Sequence, residues 1–185
     1  MSPIRLTRAI RALLVALAAT LAAGPAIAAG IGTDSASGVT VKAAFLFNFL
    51  KFADWPTLPA DRLIVVCIVG DDGIATALSE LVSGQNISGH ALEVRRSPDS
   101  ANWRACDLLF IAEAQTRKSA GALADIKALP VLTVSDGKNF SQSDGIIELY
   151  VEGDRMHFAV NVRSARRAGL RLSSGVLGLA RITDR

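Results

Sequence analysis

The chain has 185 residues, half of them apolar and a fifth charged, with 15 Gly, 6 Pro and two Cys. That composition excludes a disordered chain, a fibre and a cysteine-rich mini-domain. The formal charge of +3 is accounted for by Arg5, Arg8 and Arg11, so it is no sign of a general basic surface.

Those arginines precede an apolar run from Ala12 to Ala23, a Gly24-Pro25 breaker and Ala26-Ile27-Ala28, which supplies small residues at the two positions a signal peptidase reads. The pattern predicts a secretory signal peptide over 1–28, cleaved before Ala29. A run of 12 residues is too short to cross a hydrocarbon core of about 30 Å as a helix. No interior segment is long enough to insert in a membrane. Removing residues 1–28 leaves 17 basic residues against 17 acidic ones. A neutral exported protein has no electrostatic footprint for nucleic acid and is suited to association with other proteins. The segment 29–38 is small and polar and reads as a flexible lead; 39–185 reads as a single domain.

From Val39 to Asp54 the pattern predicts a helix ended by Trp55-Pro56. Its polar residues Asn48, Lys51 and Asp54 form one narrow stripe, so nearly the whole circumference needs cover, from a second layer of the same chain or from another protein. A continuous apolar strand follows, Arg62 to Gly70, then a helix from Ile74 to Val82. Strands at Leu92–Arg95, Leu108–Ile111 and Val131–Val134 alternate with a short region around Trp103 and a helix from Thr116 to Ala128. Next, Ile147, Leu149 and Val151 alternate with polar residues up to a Gly153-Asp154 turn, and Met156, Phe158 and Val160 repeat the alternation, which marks an antiparallel hairpin. Asn161 caps a helix from Val162 to Ala168, Gly169 ends it, and Ser173 or Ser174 caps a last helix through Arg181. The expected fold is α/β: a three-layer, mainly parallel doubly wound sheet, with a C-terminal antiparallel hairpin and two short terminal helices.

Cys67 lies in the first long strand and Cys106 just before the third. An even cysteine count in an exported chain reads as a disulfide, and a strand order of 2-1-3-4 makes those strands neighbours. Two buried free thiols are the alternative.

No metal-ligand spacing surrounds His90 or His157, and no nucleophile elbow, Walker or dinucleotide motif occurs. No catalytic residue, metal or cofactor is expected. Asp71 and Asp72 after the first long strand, Glu113 after the third, and Ser135, Asp136 and Lys138 after the fourth fall where open α/β sheets bind ligands. The first reading of the acids is capping and turn formation; a small-molecule crevice formed by Asp71, Asp72, Ser135 and Asp136 is the second.

Two segments, VKAAFLFNFLKFADWP (Val41 to Pro56) and FAVNVRSARRAGLRLSSGVLGLAR (Phe158 to Arg181), resemble the YfiR-like family of bacterial periplasmic proteins. The strand cysteine, LLFI at Leu108 and PVLTVSD at Pro130 fall between them in the family's order. The resemblance implies a periplasmic, non-catalytic and often dimeric protein. Such a protein represses an inner-membrane diguanylate cyclase by contacting its periplasmic region, and an OmpA-like outer-membrane lipoprotein can sequester it. Cys67 and Cys106 match the family's disulfide, while a second pair carried by some relatives near the hairpin is absent. For the partner contact, the turn with Arg167, Leu170 and Arg171 is the candidate, the alternative being a solvated turn with a core leucine. A periplasmic module that senses a small molecule through the strand-end crevice is the competing function.

Overall fold

A computed structural model describes residues 36–97 and 99–183. The expected signal peptide and residues 29–35 of the expected lead lie outside the described residues, whereas residues 36–38, expected as lead, are the start of the first helix. In chain order the elements are α1 (Ala36–Phe52), β1 (Ala53–Asp54), β2 (Ile64–Val69), α2 (Asp72–Val82), β3 (Asn86–Ile87) and β4 (His90–Arg96), followed by a 3₁₀ turn (Ser100–Ala105). Then come β5 (Leu108–Ile111), α3 (Glu113–Ile126), β6 (Leu132–Ser135), β7 (Ile147–Glu152), β8 (Arg155–Val160), α4 (Val162–Arg167), β9 (Arg171–Leu172), α5 (Ser174–Leu177) and β10 (Arg181–Ile182).

The main sheet runs β10-β8-β7-β6-β5-β2-β4-β3. Its centre, β4-β2-β5-β6, is parallel throughout and has the predicted 2-1-3-4 order. Every residue of β2, β5 and β6 is buried, as continuous apolar runs require when both faces are covered. On one face Ile64, Val66, Ile68, Leu108, Phe110, Leu132 and Val134 join the main core with α1, α2, α4 and α5. On the other, Val65, Cys67, Val69, Leu109 and Ile111 pack with Trp103, Cys106 and Ile126, under the 3₁₀ turn and α3. Three layers result, the second helical layer being the thinner. The hairpin extends the sheet, with β7 parallel to β6 and β8 antiparallel to β7.

The apolar excess of α1 is largely met within the chain. Phe45 and Phe49 pack edge-on against Phe158 at 5.9 and 5.1 Å between centroids, and Leu46 and Leu50 are fully buried. The helix lies antiparallel to the strands. Near its start Lys42 reaches Asp136, beyond β6. After its end, Trp55 Nε1 donates to the carbonyls of Asp107 and Pro130, ahead of β5 and β6.

Two predicted ends are corrected. The first helix stops at Phe52, because Ala53 and Asp54 pair with Leu172 and Arg171 as a two-stranded ribbon. The last helix ends at Leu177 instead of Arg181, because Arg181 and Ile182 are captured as an edge strand beside Ala159 and Val160 of β8.

Candidate functional site

At the C-terminal rim of the sheet, Asp71 accepts a 2.9 Å hydrogen bond from the amide of Ile74 and caps α2. Asp72, on the first turn, is exposed and paired with Arg96 at 2.9 Å. Ser135 is buried; its hydroxyl donates to the Ile111 carbonyl and accepts from the Gly137 amide. Asp136 uses one oxygen to accept from the Glu113 amide and the other to pair with Lys42, both at 2.6 Å. Ala112 stands at the cap position of α3 without a side-chain acceptor, so Asp136 caps that helix from a distance. Within this rim Asp71 caps α2 and Asp72 links α2 to Arg96 of β4, while Ser135 and Asp136 tie β6 to α3 and α1. Lys42 takes up the second oxygen of Asp136. Sequence reasoning missed it, since a lysine on a helix 94 residues away carries no local mark of its partner.

The C-terminal turn is built by Asn161. Its side-chain oxygen accepts from the Ser164 amide and its nitrogen donates to the Ser141 carbonyl, both at 2.8 Å, so it caps α4 and anchors the loop before β7 together. Gly169, at φ +72°, reverses the chain after α4 as a helix C′ glycine does. The Leu170 amide then donates to the Ala165 carbonyl, and the Leu170 side chain turns inward, 2% exposed. Of the three candidate contact residues, the leucine therefore belongs to the core. Arg167 is exposed and paired with Asp144 at 3.1 Å; Arg171 is exposed on β9 opposite Asp54. A shallow cleft of about 190 Å³ lies beside the turn, lined by Arg166, Arg171, Leu172 and Leu177 among others. Leu172 and Leu177 are half-buried and supply more exposed apolar surface than Leu170, which lines the same cleft from the core. The Ser173 cap, which accepts from the Val176 amide, starts the turn that carries Leu177, and that cap was the signal available in the sequence.

Residues 39–181, which include α1 from Val39 onward, Trp55 and the Asn161 turn, match the model of the YfiR/HmsC-like family, DUF4154. The chain belongs to the YfiR/HmsC-like family.

Among solved structures, this YfiR/HmsC-like chain is similar to a conserved domain protein from Vibrio cholerae O1 biovar eltor str. N16961. The identity is 12% and the TM-score 0.47, over 80% of this chain and 60% of that one. It is also similar to an ABC domain from Streptococcus pneumonia solved in complex with L-Trp, at 9% identity and a TM-score of 0.44, over 65% and 55% of the two chains. The chain thus spans 60% or less of the length of either.

Among the described residues no group of three His, Cys, Asp or Glu side chains is placed to hold a metal ion, and no helix is long and apolar enough to cross a membrane. His157 stacks on Tyr150, which also lies under Arg181. His90 Nδ1 meets the Arg62 carbonyl at 2.8 Å. Asp107 is buried at the entry to β5, accepts from the Val65 amide at 2.8 Å and pairs with Arg62. Burial raises its carboxyl above the ordinary aspartate range, against the lowering pull of the Val65 hydrogen bond and the Arg62 charge. The cysteines form the disulfide Cys67–Cys106, with Cα atoms 5.9 Å apart.

Proposed function

We propose that this protein is a periplasmic regulatory binding protein that represses an inner-membrane diguanylate cyclase through contact with the cyclase's periplasmic sensor region, lowering cyclic di-GMP and biofilm formation. The observation that carries the proposal is the family match across residues 39–181. The rim of the sheet supports it, because its polar side chains are engaged in holding α1, α2 and α3. The contact surface is the cleft beside the C-terminal turn, where Arg166 and Arg171 flank Leu172 and Leu177. Arginine beside half-buried aliphatic side chains is a common composition for a contact centre.

Repression is a population shift. The repressor must bind the inactive state of the cyclase more tightly than the active one, and a preference of about 100-fold moves the equilibrium by about 2.7 kcal/mol. The protein acts as a homodimer, and an OmpA-like outer-membrane lipoprotein relieves repression by competing for it.

The test is intracellular cyclic di-GMP in the native bacterium with the gene deleted, then restored with and without residues 1–28. A rise on deletion, reversed by the exported form alone, supports the reading. No change in a strain whose cyclase is expressed and competent overturns it. Charge reversal at Arg166 and Arg171 is expected to weaken cyclase binding about tenfold or more; unchanged affinity removes the cleft from the contact surface.

A further inference from the structure

A second concavity, of about 850 Å³, opens on the opposite face of the sheet between α3 and the segment that joins β6 to β7. Its volume is that of a small-molecule site. Its apolar lining includes Val131, Phe140 and Ile146, all three buried, with Leu123 half-buried on the helical wall.

The groove follows from how each wall is held. α3 buries only Ser119 and Ile126. Thr116, Ala120 and Ala124, spaced four residues apart on a neighbouring face, turn short side chains toward the gap. The opposite wall is fastened to the sheet instead of to α3. The buried carboxylate of Glu148 accepts from the amides of Asn139 and Ser141 and from the Ser141 hydroxyl, and Asn161 holds the Ser141 carbonyl. The two walls approach at the root of the segment, where a Cβ on Gly137 would come within 2.6 Å of the Thr116 methyl. The opening is therefore preformed and does not depend on an occupant.

Its rim carries an excess of positive charge. Arg117, Lys118 and Lys127 stand on the helix and Lys138 on the segment; all four are exposed. Among the described residues none of them enters an ion pair. Of the two acids on the lining, Asp144 is already compensated by Arg167, which leaves Glu113. Four unpaired cations against one free acid is a concentration of positive charge in a chain whose basic and acidic residues balance once residues 1–28 are set aside.

From an apolar helical wall under a cationic rim, we infer that this groove binds a small organic anion with an apolar body, held by its carboxylate, sulfonate or phosphate at the rim and by its rings against Ala120, Leu123 and Ala124. The lining shares no residue with the cleft of the proposed cyclase contact, and the two are linked through the Asp144–Arg167 pair.

The probe is 8-anilinonaphthalene-1-sulfonate, with uncharged N-phenyl-1-naphthylamine as the control of similar shape. Each is titrated into the ¹⁵N-labelled protein with amide shifts as the readout. The expected result is saturable binding of the sulfonate with shifts concentrated on α3 and residues 137–146. The affinity should fall about tenfold or more in K118E/K127E and in A124W, which fills the groove, and hold in R155E, with matching melting curves for all variants. Weaker binding of the neutral control and a loss of affinity with added salt complete the signature. The inference is overturned by shifts centred elsewhere, by equal affinity for the neutral control, by affinity unchanged in K118E/K127E and A124W, or by no saturation below about 1 mM.

Discussion

The Cys67–Cys106 bridge offers the sharpest quantitative test of the fold. It joins the middle of β2 to the residue that follows the 3₁₀ turn, across a sequence separation of 39. In the chain-entropy account, closing a loop of that length in the unfolded chain contributes about 4 kcal/mol to stability. For a domain of this size each kcal/mol moves the melting temperature by about 2–4 °C, so loss of the bridge should lower it by about 8–16 °C. Both sulfurs are buried beside Trp103, Val65 and Leu109, so C67A/C106A also removes packed atoms. Wild-type protein melted in a strong reductant keeps those atoms and loses only the bond. Scanning calorimetry of oxidised wild type, reduced wild type and C67A/C106A separates the two contributions: the first step should be the larger, and the second about 1 kcal/mol, since each change removes a single small group. A fall of less than about 3 °C on reduction would refute the loop argument, as would two titratable thiols in the denatured, unreduced protein.

Other consequences follow from single side chains. Glu148→Ala leaves the buried amide and hydroxyl of Ser141, and the more exposed Asn139 amide, without an acceptor and should cost about 2–4 kcal/mol in urea denaturation, with faster amide exchange over residues 137–146; a cost below about 0.5 kcal/mol would mean that the segment is held by something else. Because burial raises the Asp107 carboxyl in the folded protein, its contribution to stability is complete below the unfolded value of about 3.9 and is lost as pH rises through the higher folded value. The stability of wild type relative to D107N should therefore fall with rising pH from the ordinary aspartate range upward. A rise instead would show that the Arg62 charge outweighs burial. Phe49→Ala, at the centre of the Phe45–Phe158 cluster, should cost about 3–5 kcal/mol in the same denaturation assay, whereas Phe52→Ala, at a side chain 45% exposed, should stay within about 1 kcal/mol. Equal costs would argue that the outer end of α1 is covered by another chain in solution.

The sequence by itself determined the main elements, their order and the fold class, because those are written in local signals, whereas the two-residue strands β1, β3, β9 and β10 carry none. Continuous apolar runs at β2, β5 and β6 required cover on both faces, and the alternation around Gly153-Asp154 required a hairpin. Asp71, Asn161 and Ser173 announced three helix starts through side chains that bond within three residues. Family membership was legible for a related reason, since the segments that carry it, Val41–Pro56 and Phe158–Arg181, form two of the places where the chain is pinned to itself.

What only the tertiary structure decided is which distant groups meet. Glu148 occupies a polar position in the hairpin's alternation, yet it is buried, because residues 139–141 fold back over it and supply three donors. Asp136 reads locally as a turn acid, but its partners are an amide of α3 and a lysine of α1. Leu170, beside Arg171, left a contact and a core leucine both open in the sequence, and the turn at Gly169 places it in the core. The last helix is cut short because β8 offers Arg181 and Ile182 a free edge whose hydrogen bonds a helix could not use. The groove beside α3 is the clearest case: nothing local marks it, because it is the space left between two walls that are each fastened to a different part of the sheet.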